Sequence, residues 1–364
     1  MPKGRTMIKG HGGNIYAMAK AIGCKPGDFV DMSSNTNPIG TMTGLLDYLG
    51  ENLGAISVHP EVDSRSLVEA FATHYNIEAE CVLPGNGTTQ FIFAAPLALG
   101  SKKAIIFGPT YSDYEGACKM HNVDYGYAMA NEFNLFQPDV PGLEKYLNKI
   151  DTAFICNPNN PTGSLISRVN LSKICMEYPD IYFLIDESYL PFTDHYEENT
   201  MIRCGLKNVI VLHSFSKIFK IPGLRLGFLI APKAIIERFG YYYEPWSVNG
   251  LAQAAGHYLM NNNRMLYNFL RDTQSFVAKE KQLFIERLEG VSRLSVFPSE
   301  APFILVKIEQ GSDAERFCND MADNRILLRN CGNFEGLSGQ FFRISLRGSK
   351  QNAMVAEKLR GIFA

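Results

Sequence analysis

Long apolar runs and an excess of one charge sign are both missing from this sequence of 364 residues. The longest apolar stretch, FIFAAPLALG at 91–100, is far too short to span a bilayer, so no membrane partner is expected. The net charge of -2 at pH 7 gives no reason to expect a nucleic acid as partner. Any anion that this protein binds must therefore be held by a local site.

Paired cysteine motifs are missing as well. The eight cysteines are scattered along the chain without any C-x-x-C spacing. This distribution is typical of reduced thiols, and a zinc site would need closer spacing. The basic N-terminal segment is not followed by an apolar stretch, so it does not resemble a secretory signal. We therefore expect a cytoplasmic protein without a metal.

Short apolar runs recur in the first two thirds of the chain; they are KKAIIF, TAFIC, IYFLID, NVIVLH and LGFLIA. Continuous runs indicate strands that are covered on both faces, and several intervals between them are long enough for helices. The pattern predicts an α/β domain with a large, mostly parallel sheet and helices on both faces. We place this domain at 41–250, after an N-terminal arm at 1–40 that belongs to a smaller domain.

The last third of the chain has a different pattern. Leu, Met and Phe recur at helical spacing from 249 to 288, and four apolar runs follow: LSVFP, FILVKI, RILLRN and FFRISLR. These features predict a linking helix and a small α+β domain at 251–364.

Polar segments follow four short apolar runs, namely CVLP at 81–84 and three of the runs named above. In open α/β sheets, ligands bind beyond the carboxyl ends of the strands, so these segments are the first candidates for a site. They are GNGTT at 85–89, NPNNPTG at 157–163, DESY at 186–189 and SFSK at 214–217.

The glycine-rich segment at 85–89 has two interpretations. It is either a helix start capped by Thr88 or Thr89, or an anion site made of backbone N–H groups at a helix N-terminus. It lacks the lysine of a P-loop, which argues against a nucleoside triphosphate. Ser214, Ser216 and Arg225 are further donors for one phosphate.

Asp186 and Lys217 each have an ordinary alternative. Asp186 either caps the next turn or pairs with a cation such as a protonated ring nitrogen, and Lys217 is either a solvated lysine or a nucleophile for a carbonyl carbon. A phosphate site, a carboxylate for a pyridinium nitrogen and a lysine for an aldehyde together indicate pyridoxal 5'-phosphate as cofactor.

On these motifs the sequence resembles the fold-type I pyridoxal-phosphate enzymes of the aspartate aminotransferase superfamily over essentially its whole length. The resemblance implies that fold, a homodimer, and Lys217, Asp186 and Tyr189 as catalytic residues. Lys217 would form the covalent link to the cofactor, and Asp186 would pair with its pyridine nitrogen. The remaining cofactor contacts implied are Asn160 and Tyr189 to the phenolic oxygen, Tyr111 stacked on the ring, and Gly87, Thr88, Ser214, Ser216 and Arg225 to the phosphate.

Within the superfamily, the sequence resembles the threonine-phosphate decarboxylases more than the histidinol-phosphate aminotransferases. The segments that favour the former are GHGGN at 10–14, DMSSNTNP at 31–38, PWSVNGLAQAAG at 245–256 and RNCGNFEGL at 329–337. The implied reaction is decarboxylation of L-threonine O-3-phosphate, or a close phosphoamino acid, to aminopropanol phosphate for cobalamin. The alternatives are amino transfer to a 2-oxo acid and, in another class, a regulator that binds the cofactor without catalysis.

A small phosphorylated amino acid needs anion-binding groups of its own. Arg343 matches the arginine that holds a substrate carboxylate in the superfamily, whereas His11, Arg329 and Arg347 are either ligands for substrate anions or ordinary solvated residues. The full set of expected substrate contacts is His11, Gly12, Asn35, Asn160, Arg329, Arg343 and Arg347.

The sequence departs from the superfamily at two positions. His59 stands where a tyrosine usually reaches the cofactor phosphate of the neighbouring subunit, and Pro302 stands where an asparagine is usual. Because proline has neither a backbone N–H nor an amide side chain, any substrate contact made there is in doubt.

Overall fold

The computed structural model describes residues 14–138, 144–147, 149–309 and 313–364. A seven-stranded sheet forms its centre, in the spatial order β2-β8-β7-β6-β5-β3-β4. Its strands are β2 (Val82–Asn86), β3 (Lys103–Gly108), β4 (Asp124–Met129), β5 (Thr152–Cys156), β6 (Tyr182–Asp186), β7 (Val209–Ser214) and β8 (Leu226–Ile230). Among these strands only β8 runs against the others, so the mostly parallel sheet is confirmed.

Helices cover this sheet. Strands β5, β7 and β8 are buried at every position, as continuous apolar runs predict. The helices in and around this part of the chain are α2 (Leu45–Glu51), α3 (Arg65–Tyr75), α4 (Thr88–Leu99), α5 (Asp113–Met120), α6 (Glu144–Leu147), α7 (Arg168–Glu177), α8 (Tyr196–Asn199), α9 (Phe215–Ile218), α10 (Lys233–Gly240) and α11 (Gly250–Asn261).

The smaller sheets join the N-terminal and C-terminal parts of the chain. A four-stranded antiparallel sheet has the order β12-β13-β10-β9, and β1 pairs with β11 in parallel. Around them lie α1 (Ile15–Ile22), α12 (Asn263–Leu288), α13 (Ala314–Asp323) and α14 (Ser349–Phe363). The strands are β1 (Val30–Asp31), β9 (Leu294–Val296), β10 (Phe303–Ile308), β11 (Ile326–Leu327), β12 (Arg329–Asn330) and β13 (Phe341–Ser345).

Two predicted elements are divided. RILLRN forms two strands, because the chain changes partner at Leu328 from β1 to β13. The helical region from 249 to 288 is interrupted at Asn262, whose side-chain amide donates to the Tyr258 carbonyl and takes the place of a continuing helical bond. The domain boundaries at 40 and 250 stay a prediction.

A buried carboxylate joins α12 to α14. Glu280 is 3% exposed, and it accepts hydrogen bonds from Ser349 Oγ at 2.6 Å and Asn352 Nδ2 at 2.9 Å.

None of the described helices has the length and apolar character needed to cross a membrane. In the described ranges, no group of three or more His, Cys, Asp or Glu side chains is placed to hold a metal ion.

Candidate active site

Most of the predicted site residues meet at the carboxyl edge of the large sheet, around two neighbouring cavities. The first has a volume of about 180 Å³ and the second about 210 Å³. Both are lined by Tyr111, Asn160, Tyr189 and Lys217, so they form one continuous cleft. The predicted cofactor residues that line the first cavity are Thr88, Tyr111, Asn160, Asp186, Tyr189, Ser214, Ser216, Lys217 and Arg225.

Lys217 lies in the short helix α9, directly after strand β7. Its backbone is fixed by Asn37, whose N–H donates to the Lys217 carbonyl at 3.0 Å. The Asn37 side-chain amide also donates to the Ile218 carbonyl at 2.7 Å and to Thr273 Oγ1 at 3.0 Å. Asn37 therefore ties the lysine turn to the N-terminal arm and to α12, a role that the sequence reasoning missed.

The surroundings of Lys217 favour the neutral amine. Burial, with the nearby guanidinium groups of Arg225 and Arg343, lowers the pKa of Lys217 to about 8, although the Asp186 carboxylate opposes the shift. A neutral amine carries the free electron pair that attack on an aldehyde requires. The amine therefore suits covalent attachment of a carbonyl compound near neutral pH.

Asp186 is buried at the end of β6 and is held in one orientation. Its Oδ1 accepts the Ser188 N–H at 3.0 Å and the Ser188 hydroxyl at 2.5 Å, and its Oδ2 accepts the Tyr114 hydroxyl at 2.9 Å. Burial raises the pKa of Asp186, and these hydrogen bonds together with the charge of Lys217 act in the opposite direction. Ser188 and Tyr114 had no role in the sequence reasoning.

A phosphate-sized recess lies at the start of α4. Gly87 is its N-cap at φ 75°, without a side-chain cap, and a Cβ at this position would collide with the Arg225 guanidinium. Gly227 also leaves necessary room, because a Cβ on this residue would lie only 2.7 Å from the Thr88 backbone nitrogen. Ser216 Oγ is buried and has no hydrogen-bond partner among the described residues. An orphaned donor beside a helix N-terminus and a guanidinium fits a bound phosphate.

The opposite wall of the cleft comes from the arm and the small sheet. Asn35 Nδ2 donates to the Tyr189 hydroxyl at 3.0 Å, and Asn35 Oδ1 accepts from Ser345 Oγ at 2.6 Å. Arg343 donates to Asn160 Oδ1 and, at 2.6 Å, to the Ser33 carbonyl. Arg343 Nε is buried without a partner in the described part of the chain, so this guanidinium retains a donor for an anion.

Arg329 lines the second cavity, but three other expected substrate contacts, Arg347, His11 and Gly12, are not shown there. The Arg329 guanidinium lies 5.1 Å from the Phe334 ring centre and donates to Asn333 Oδ1 at 2.8 Å. Arg347 is absent from the described lining of both cavities and donates to the Ser34 and Leu346 carbonyls. Its substrate contact stays a prediction, while His11 and Gly12 lie outside the described residues.

The two departures from the superfamily lie away from the cleft lining. The Pro302 carbonyl accepts the Leu346 N–H at 2.9 Å, and the next residue, Phe303, packs edge-on against Tyr189 with ring centres 5.0 Å apart. His59 is exposed, 5.2 Å from the Trp246 ring. Within one described chain, His59 therefore does not contribute to either cavity.

The residues present fit pyridoxal phosphate in each of its parts. The recess at Gly87 and Ser216 suits the phosphate, the Asp186 carboxylate suits a protonated ring nitrogen, and Lys217 suits the aldehyde carbon. A family profile for aminotransferases of class I and II matches residues 28–359. This chain belongs to that family. Its members depend on pyridoxal phosphate, so the predicted fold and cofactor are both confirmed.

Relatives of two kinds are similar over nearly the whole chain. Threonine-phosphate decarboxylase of Salmonella typhimurium is 31% identical, over 97% of this chain and 96% of the relative. Histidinol-phosphate aminotransferase of Methanococcus aeolicus is 26% identical, over 95% and 93%. The crystal structure of L-threonine-O-3-phosphate decarboxylase from Porphyromonas gingivalis has a TM-score of 0.82 at 28% identity, and covers 91% of this chain and 98% of the other.

The first prediction concerns the pH at which the cofactor attaches. With the pKa of Lys217 at about 8, the rate of linkage of pyridoxal phosphate to cofactor-free protein rises with pH and levels off above about 8. The change in visible absorption after rapid mixing measures this rate, and Lys217→Ala is the blank. A rate that keeps rising towards the pKa of an ordinary lysine, about 10.4, would contradict the prediction.

The second prediction concerns the phosphate recess. Gly87→Ala puts a side chain at φ 75° and against Arg225. Because that backbone region costs a residue with a Cβ on the order of 1–3 kcal/mol, we expect cofactor affinity to fall about tenfold or more. Equilibrium dialysis measures the affinity. Gly361→Ala, where a Cβ meets nothing within 4 Å, should bind as the unchanged protein does; equal losses in both variants would refute the interpretation.

Proposed function

We propose that this chain is a cytoplasmic carboxy-lyase that converts L-threonine O-3-phosphate, or a close phosphoamino acid, to aminopropanol phosphate for cobalamin biosynthesis. The observation that carries the proposal is the pair of guanidinium groups, Arg329 and Arg343, in the second cavity beside Lys217. A phosphoamino acid brings two anionic groups besides its amine, and guanidinium groups suit both a phosphate and a carboxylate. The similarity to the decarboxylase relatives points in the same direction.

The cofactor, when bound, supplies an electron sink for the charge that develops at the substrate Cα. The side chain of Lys217 then holds or delivers a proton at Cα, since it lies in both cavities. The Asp186 carboxylate would stabilise the positive charge of a protonated ring nitrogen. Arg343 and Arg329 would orient the substrate through its anionic groups, and this orientation would decide which bond at Cα breaks.

Decarboxylation would balance as a replacement of carbon dioxide by a proton. The bond between Cα and the carboxylate carbon would break, carbon dioxide would leave, and a proton from Lys217 would take its place at Cα. The runner-up is an aminotransferase acting on a phosphorylated amino compound with a 2-oxo acid as acceptor. The similarity to histidinol-phosphate aminotransferases supports this alternative, and the same side chains could serve loss of the Cα proton.

The third prediction separates the two reactions. The cofactor-loaded protein, given threonine phosphate alone, should release carbon dioxide and aminopropanol phosphate over many turnovers. A parallel sample with histidinol phosphate and 2-oxoglutarate should give little glutamate. Glutamate without carbon dioxide would overturn the decarboxylase and leave the aminotransferase. Arg329→Lys should raise KM more than it lowers kcat, since lysine keeps the charge but loses the fork of donors.

We also propose that the chain forms a homodimer through an exposed apolar surface. The surface lies near the phosphate recess: Gln90, in the helix that begins at the recess, donates from Nε2 to Oγ of Ser247, the residue after Trp246, at 3.2 Å. A second copy seated there would cover it and bring His59 to the edge of a neighbouring site. The large apolar side chains that form the surface are at least 49% exposed; they are Leu53, Ile56, Val58, Val62 and Trp246.

The fourth prediction tests this interface by sedimentation. Ile56→Glu combined with Val58→Glu should convert a dimer into monomers, because two buried charges without partners oppose association. Val169→Glu changes an apolar residue that is 77% exposed on α7, and should leave the dimer intact. A protein that is monomeric without any substitution would disprove the homodimer, whatever reaction it catalyses.

A further inference from the structure

Glu187 lies between two residues of the cofactor site but faces away from it. Asp186 and Tyr189 both line the first cavity, whereas Glu187 is absent from the described lining of both cavities. Its side chain is 0% exposed. A carboxylate is rarely buried to this extent unless its polar atoms are bonded, so its contacts need an explanation.

Both carboxylate oxygens of Glu187 accept a hydrogen bond from one distant loop. Oε1 accepts the Met201 N–H at 2.6 Å, and Oε2 accepts the Thr200 hydroxyl at 2.7 Å. Thr200 and Met201 are themselves 3% and 1% exposed. The side chain thus fastens the turn at 186–189 to the segment that follows α8.

The backbone of the same turn has few other ties. The Asp186 carbonyl accepts the Asn157 N–H at 2.8 Å, and the Glu187 N–H donates to the Leu212 carbonyl at 2.9 Å. Within the turn, the Glu187 carbonyl accepts the Leu190 N–H at 3.1 Å, and the Tyr189 carbonyl accepts the Phe192 N–H at 3.2 Å. The ends of the Asp186 and Tyr189 side chains have hydrogen-bond partners of their own, whereas the side chain of Glu187 restrains the backbone that carries them.

Glu187 has no ion pair within 4 Å among the described residues, although the more distant charge of Arg168 lowers its pKa and that of Asp186 raises it. Burial raises the pKa of Glu187 to about 7, partly opposed by the two hydrogen bonds. Both bonds remain possible for an uncharged amide, since Oε1 can accept from Met201 and an amide nitrogen can donate to the Thr200 oxygen. The contacts therefore require the shape and bonding of the side chain more than its charge.

We propose that Glu187 is a positioning residue for the cofactor ring, which acts by anchoring the turn that carries Asp186 and Tyr189 to Thr200 and Met201. It touches neither the cofactor nor the substrate. A displaced turn misdirects the Asp186 carboxylate from the ring nitrogen and the Tyr189 hydroxyl from the phenolic oxygen. The inference goes beyond the proposed reaction and holds equally for decarboxylation and amino transfer.

The test compares three variants by cofactor affinity and by the visible absorption of the loaded protein. Glu187→Ala should weaken cofactor binding about tenfold and shift the pH midpoint of the absorption band of lysine-linked cofactor. Glu187→Gln should restore both to within about threefold of the unchanged protein, because it keeps both hydrogen bonds. Thr200→Val keeps the Met201 bond to Glu187 but loses the hydroxyl bond to Glu187 and the bond from the Ile202 N–H, and it should change both in the same direction by a smaller factor.

Glu280→Ala is the matched control. Glu280 is also a buried glutamate with two hydrogen bonds, but it joins α12 to α14. Removal of its side chain should lower the urea midpoint of unfolding about as much as Glu187→Ala does. It should leave cofactor affinity and the pH midpoint of the absorption band unchanged. If the Glu280 variant shifts them as much as Glu187→Ala does, the effect is general destabilisation and the proposal is wrong.

Two other outcomes would also overturn the proposal. A Glu187→Gln variant as defective as Glu187→Ala would mean that the charge acts, not the anchor. If Glu187→Ala does not fold, the decision rests on Thr200→Val in the loaded protein. An unchanged absorption midpoint and affinity in that folded variant would reject the anchor. None of these readouts depends on threonine phosphate, so they stand apart from a failure of the proposed reaction.

Discussion

The buried carboxylate of Asp186 is the charge around which the site is arranged. It is only 5% exposed, and burial alone favours the protonated form that would be useless to a pyridinium nitrogen. Ser188 and Tyr114 donate three hydrogen bonds that hold the ionised form and fix its direction. Burial in the same low-dielectric surroundings lowers the pKa of Lys217. Burial at this edge of the sheet thus shapes both the carboxylate that suits a ring cation and the amine that suits an aldehyde.

The second half of the cleft depends on contacts between distant parts of the chain. Asn37 is hydrogen-bonded to the turn that contains Lys217, and Asn35 is hydrogen-bonded to both Tyr189 and Ser345. Arg343 joins the small sheet to Asn160 of the large sheet and to the Ser33 carbonyl. These bonds connect the N-terminal arm, the large sheet, the small sheet and the turn that contains Lys217. They therefore fix the two sides of the cleft relative to each other.

The sequence was sufficient for residues that follow apolar strands, and insufficient for residues that act across the fold. Asp186 and Lys217 stand out because a polar residue after a buried strand has few ordinary reasons to be there. Glu187 and Ser188 follow the same strand, but the sequence does not distinguish their roles, and Asn37 follows no predicted strand; the partners of all three are known only once the chain is folded. RILLRN predicts a single strand for the same reason, because the exchange of partner at Leu328 leaves no trace in an apolar run.

The proposed choice between the two reactions depends on the donors that Arg343 retains. Two of its nitrogens are bonded to Asn160 and Ser33, and Nε is unpartnered among the described residues. A substrate carboxylate bound at this guanidinium would therefore meet a partly occupied fork and not a symmetric, bidentate one. Arg329, which lines the same cavity, offers a second cation. An anionic substrate held by both arginines would be oriented about its Cα by their relative positions, and this orientation would favour one bond at Cα over another.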